Sequence, residues 1–144
     1  MSHDNQRLAG VLTLAGIAPI WGLLVLQLWL DGAPLGLIAL GYGAVIASFV
    51  CGVHWGLFLS RAADMPVNLL ITSNVGALLA WVMLVLGLAS PTAGFFGLAL
   101  VLAGLLAMDW LIRQRSGIEP WFWRLRWMAS LGLGVGLIVW GIWA

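Results

Sequence analysis

His54, Asn74, Asp109, Arg124 and Arg126 are polar side chains that stand inside or beside long apolar runs. An ionisable group surrounded by hydrocarbon is costly unless it finds a partner, so these residues are the candidates for a site. His54 and Asp109 have the types of a general base and its orienter. Asp109 can pair with Arg113 one turn along, or with Arg124 or Arg126 beyond the following connection. His54 can exchange a hydrogen bond with Asn74, beside which lies Ser73, while Trp55 can close the site toward lipid.

Their depths agree. His54 precedes Arg61 by seven residues, roughly 10 Å along a helix. Asn74 is about as far inside the start of its own stretch, Asp109 lies one turn inside Arg113, and Arg124 and Arg126 fall within two turns after Pro120. Five polar groups from four stretches thus share one layer, although the same layer also suits a structural staple whose arginines snorkel toward headgroups.

No catalytic or metal-binding residue is assigned. His3 and His54 are the only histidines, and zinc spacings, HExxH, GxSxG, phosphate loops and paired intramembrane aspartates are missing from the sequence. A haem with a single axial ligand, or a tetrapyrrole held by Trp and Arg, fits the composition without being specified by it.

The elements that position these groups follow from apolarity. Of the 144 residues 63% are hydrophobic and 8% charged, with a mean hydropathy of +1.10; a water-soluble domain could not cover such a surface. Apolar stretches run over about 8–30, 34–59, 66–89, 91–112 and 120–144. Each reaches the roughly 20 residues a helix needs to cross a bilayer. None alternates as a barrel strand would, and helices are the remaining way to satisfy a backbone in lipid. The expected fold is therefore all-α: one transmembrane domain over residues 1–144, a compact bundle of five helices.

Prolines mark the boundaries, since Pro34, Pro66, Pro91 and Pro120 each open a stretch, where a missing N–H costs least. Asp64 and Ser90 are the expected caps. Pro19 lies inside the first stretch, where it should bend the helix and free a carbonyl.

All six basic residues are arginines: Arg7, Arg61, Arg113, Arg115, Arg124 and Arg126. Across five crossings they fall on one side, which places the N-terminus inside and the C-terminus outside. Trp110, Trp121, Trp123 and Trp127 gather toward that side and Trp29, Trp140 and Trp143 toward the other, as aromatic belts do. The short connections make successive helices antiparallel neighbours and leave no room for an extramembrane domain. The first apolar run is longer than a signal peptide's core and is expected to be retained. A net charge of +1 gives no basic field for nucleic acid. Cys51, the single cysteine, has no intrachain disulfide partner and is expected to pack as a small apolar residue.

Small residues should set the packing, because lipid supplies no hydrophobic drive between helices. In the second stretch Ala39, Gly43, Ala47 and Cys51 recur at spacing four beside a second row of Ser48, Gly52 and Gly56, which makes it the expected central helix. Ala99, Ala103 and Ala107 repeat the device in the fourth stretch, and Gly132 and Gly136 in the fifth.

Two segments carry a resemblance: Tyr42-Gly43-Ala44-Val45-Ile46-Ala47-Ser48-Phe49 leading to Gly52-Val53-His54-Trp55-Gly56, and Pro120-Trp121-Phe122-Trp123-Arg124-Leu125-Arg126. From about Ala18 to Ser130 the chain resembles the uncharacterised membrane family of the mitochondrial transmembrane protein 69 type, domain of unknown function 3429. It departs from that pattern at Phe122-Trp123, where a Trp-Tyr pair is expected. The resemblance implies a small polytopic protein of bacterial inner or mitochondrial inner membranes, brings no established reaction, and directs attention to His54, Trp55, Pro120, Trp121, Arg124 and Arg126.

Three functions fit this reading. The first is an accessory or assembly subunit of a larger membrane complex, with other membrane subunits as partners. The second is a binder or carrier of a tetrapyrrole, sterol or lipid, which requires a pocket among the first, second and fifth helices near His54 and Trp55. An intramembrane enzyme built on His54 and Asp109 ranks last.

Overall fold

The computed structural model describes residues 2–30, 33–61, 65, 67–115 and 117–144. They form five helices: α1 (His3–Gln27), α2 (Leu35–Arg61), α3 (Leu69–Ala89), α4 (Pro91–Gln114) and α5 (Pro120–Trp143). Each is long and apolar enough to cross a membrane.

The helix ends show which signals acted. α1 begins five residues earlier than the apolar run because Ser2 caps it, its Oγ accepting from the Asn5 N–H at 3.4 Å, with Asp4 favourably placed in the first turn. It ends at Gln27, and Leu28 to Leu30 form a turn that bonds back to Val25 and Leu26. α3 starts at Leu69, later than expected, and its cap is Asn68, whose Oδ1 accepts from Leu70 N at 3.1 Å and Ile71 N at 3.4 Å. The expected cap Asp64 and the opening Pro66 lie outside the described residues. Pro91 and Pro120 occupy first-turn positions, but Ser90 makes no side-chain cap bond. α1 continues through Pro19.

In the bundle α1 packs on α5, α5 on α4, α4 on α3, α3 on α2 and α2 on α1. α2 also reaches α4 and α5, so it touches all four other helices, as a central helix must. The main core joins Ile20, Ala39, Leu40, Ala47, Phe95, Leu98, Leu102, Leu137 and Trp140. Large apolar side chains such as Phe49, Leu59, Leu100 and Ile142 point outward, each more than 70% exposed. Such a surface is stable only against hydrocarbon.

Small residues permit the closest approaches, though not all of those expected. α3 and α4 meet where a Cβ on Gly94 would lie 2.5 Å from the Gly87 Cα. Gly132 and Gly136 receive Ile17 and Ile20 of α1 at distances that leave no space for a methyl group, and Gly43 does the same for Leu137. Ala47 and Cys51 are buried. Ser48, Gly52 and Gly56 instead face outward, with nothing within 4 Å of a Cβ placed at either glycine. Ala103 and Ala107 are likewise exposed; the inner face of α4 is Gly94, Leu98, Leu102, Leu105, Asp109 and Ile112.

Candidate functional site

The inner stripe of α4 carries Asp109 into the bundle because it follows Leu98, Leu102 and Leu105 at helical spacing. The inner stripe of α5 does the same for Arg126, which precedes Ser130, Leu133, Leu137 and Trp140. α2 brings in His54 one turn beyond Val50 and Cys51. His54 and Asp109 are fully buried and Arg126 is 5% exposed.

The three side chains form one chain of hydrogen bonds. His54 Nε2 lies 3.0 Å from Asp109 Oδ1. Arg126 Nε donates to Asp109 Oδ2 at 2.8 Å, and Arg126 Nη2 donates to that same oxygen. On the far side of the imidazole, His54 Nδ1 lies 3.1 Å from Thr72 Oγ1, and the Thr72 hydroxyl is also 3.1 Å from the Leu69 carbonyl. One link therefore comes from each of α2, α3, α4 and α5. Every fully buried side-chain nitrogen and oxygen among the described residues has a partner, as groups held out of water require.

The expected layer is thus corrected at three places. Asn74 faces outward and donates to the Leu70 carbonyl of its own helix at 2.8 Å; Thr72 occupies the place expected for it. Ser73, buried, donates to the Cys51 carbonyl at 2.7 Å and ties α3 to α2. Trp55 is 43% exposed and closes nothing. Arg124 is exposed and lies in a surface hollow with His3, Gln6 and Arg7, because two residues along a helix turn a side chain by about 200° from Arg126. Arg113 stays at the helix end, its guanidinium carbon 5.2 Å and 5.9 Å from the ring centroids of Trp123 and Trp110.

Arg126 also forms part of the wall of a cleft of about 400 Å³, within the range of small-molecule sites, roughly 300–1,000 Å³. α1 supplies Ala9, Leu12, Thr13 and Gly16, α2 supplies Ile46, Phe49, Val50 and Val53, and α5 supplies Trp121, Phe122, Leu125, Ala129 and Leu133. Leu12 and Phe49, 61% and 75% exposed, stand at its rim, so it opens sideways toward lipid. Its tryptophan is Trp121 and not Trp55. The lining is mostly apolar, with Arg126, the Trp121 indole N–H and Thr13 as its polar side-chain groups, and the Thr13 hydroxyl is spent on the Ala9 carbonyl at 2.8 Å. Arg126 is the single charged residue in an apolar slot.

Five apolar helices around a buried, hydrogen-bonded charge cluster define a multi-pass integral membrane protein. Residues 5–142 match the family described as protein of unknown function, DUF3429, and the chain belongs to that family. No curated protein and no solved structure matches it.

Proposed function

We propose that this protein binds an amphiphilic small molecule within the bilayer, in the cleft between α1, α2 and α5. The observation that carries the reading is the cleft itself: largely apolar walls, exposed apolar side chains along it, and Arg126 as the one charged residue in its lining. Tetrapyrroles, sterols and lipids all have an apolar body and a polar head of the kind this shape accommodates. Titration of the purified protein with each class tests it, because Trp121 lines the cleft. Saturable change in tryptophan fluorescence is expected for at least one class, and unchanged fluorescence with all of them refutes the reading.

A second reading, an accessory or assembly subunit of a larger membrane complex, is favoured by the outward row of Ser48, Gly52 and Gly56. Rows of this kind admit a neighbouring helix closely. Migration far above the monomer size in a mild-detergent extract supports it, and migration as a free monomer counts against it. In both readings the arginine-rich side is cytoplasmic or matrix, the N-terminus lies on that side and the C-terminus outside, and the membrane is a bacterial inner or mitochondrial inner membrane, as the transmembrane protein 69 resemblance implies. Neither reading needs an enzymatic step.

A further inference from the structure

We infer that the cleft takes an anionic amphiphile, a long-chain carboxylate or similar oxyanion, and that its binding is accompanied by uptake of one proton on His54. This deepens the proposed ligand site and rests on it.

The first observation is the way Asp109 holds Arg126. Asp109 takes the side edge of the guanidinium, the one formed by Nε and Nη2. The end edge keeps one hydrogen of Nη1 and the second hydrogen of Nη2, and Nη1 makes no hydrogen bond among the described residues. Because every sealed polar side-chain atom among them is partnered, Nη1 belongs to the small part of Arg126 that remains accessible, and the cleft is the opening that Arg126 lines. Two parallel N–H groups on an end edge match the two oxygens of a carboxylate, whereas a lone ketone or hydroxyl uses half of that fork.

The second observation is the charge count. Asp109 and Arg126 cancel, so with a neutral His54 the cluster carries no net charge, and an arriving anion would leave one uncompensated charge in a low-dielectric interior. Such a charge is costly. One proton on the imidazole restores neutrality, and the hydrogen bonds around His54 accommodate both states. Thr72 has a single hydroxyl hydrogen and two acceptors within reach, His54 Nδ1 and the Leu69 carbonyl, each at 3.1 Å. When His54 is neutral, its Nε2–H donates to Asp109 and the Thr72 hydroxyl donates to Nδ1. When it is protonated, Nδ1–H donates to Thr72 and the hydroxyl turns to Leu69. The imidazole keeps both of its hydrogen bonds in either state, and only the Thr72 to Leu69 bond is made in one and released in the other.

The groups that face His54 are Asp109 from α4, Arg126 from α5 and the uncharged Thr72 from α3; Cys51 lies one turn away on its own helix. α1 carries no ionisable side chain beyond Arg7. The proton therefore goes to the His54–Asp109 pair, in which the imidazole can carry it while Asp109 stays ionised against Arg126.

The test uses the full-length protein in uncharged detergent and a nitroxide-labelled long-chain sulfonate, whose head stays ionised throughout, with the methyl ester of the matching carboxylic acid as the neutral control. The sulfonate is expected to quench tryptophan fluorescence saturably and to bind more tightly as the pH falls, by up to about tenfold per unit, the limit for one proton taken up with each ligand. The ester is expected to bind more weakly, without pH dependence. His54→Gln, which can still donate to Asp109 and accept from Thr72, should bind the sulfonate with its weak high-pH affinity at every pH. Sulfonate binding independent of pH, or an unchanged pH dependence in His54→Gln, overturns the inference and leaves the ligand site standing. An ester that binds as tightly as the sulfonate overturns it too. If His54→Gln does not fold, proton uptake on mixing wild-type protein with the sulfonate in weak buffer decides: one proton per ligand supports it and none refutes it. Saturable quenching by no probe, or quenching unaffected when Ala129→Phe fills the cleft, refutes the ligand site itself.

Discussion

Arg126 grips Asp109 from the side, with Nε and Nη2 both donating to one carboxylate oxygen, Oδ2. The other oxygen is left for His54, so the pair serves as the junction of a chain that runs through four helices.

Breaking this junction from one side strands a buried charge. Asp109→Asn or Arg126→Met is expected to destabilise the fold by about 3–5 kcal/mol, seen as a large fall in the thermal midpoint in detergent. The double variant Asp109→Leu with Arg126→Met should recover most of the loss, since an apolar pair of similar volume leaves no charge uncompensated. Failure of the double variant to improve on either single one would contradict this account.

Much of this site was legible in the sequence, for a physical reason. Charges in hydrocarbon must pair, and Asp109 has few partners to choose from. Which arginine it takes depends on helix phase. Leu133, Leu137 and Trp140 lie on the face of α5 that contains Arg126, which is the signal that separates it from Arg124. On α3 the buried run Leu69, Ser73, Gly76 and Ala80 would similarly have set Asn74 off the inner face. Hydrophobicity alone could not show these faces, because the helices are apolar on every side, lipid-facing side included. The small-residue stripe of Ser48, Gly52 and Gly56 shows the same limit: small size permits a close approach, but it does not say that a helix of this bundle makes it.

Two glycine classes should therefore respond oppositely. Gly94→Ala brings its new methyl group against the Gly87 backbone, which cannot rotate aside, and is expected to cost about 1–3 kcal/mol. Gly52→Ala, on open helix surface, should be neutral or stabilising by up to about 1 kcal/mol. Thermal midpoints of the two variants compare them directly. Gly52→Leu should leave monomer stability near wild type and, on the subunit reading, shrink the assembly seen in mild detergent.

Trp140 both stacks on Phe95, with centroids 5.7 Å apart, and donates from Nε1 to the Ile20 carbonyl at 3.1 Å. Trp140→Phe should preserve most of the stacking and lose the bond, lowering stability by about 1 kcal/mol. Trp140→Leu should cost more, and equal losses would show that the bond carries the whole effect.

Topology can be mapped on an almost native background because Cys51 is 1% exposed and should ignore a membrane-impermeant maleimide. Added cysteines, Ser2→Cys and Ala144→Cys, are expected to label from opposite sides, the former from the cytoplasmic or matrix side. Labelling of both from one side would overturn the orientation read from the arginines.

The α1 residues that wall the cleft, Ala9, Leu12, Thr13 and Gly16, all precede Pro19. The attachments beyond that proline are firm: Trp21 donates to the Gly132 carbonyl at 3.0 Å, Trp140 to that of Ile20, and Ile20 is the helix's one buried side chain. Proline removes a main-chain bond just where the two halves join. Before it the Tyr42 hydroxyl donates to the Gly16 carbonyl and Ile17 seats against Gly132, so this wall of the cleft is pinned to α2 and α5 on both sides of the missing bond, and a ligand meets a surface already set in place.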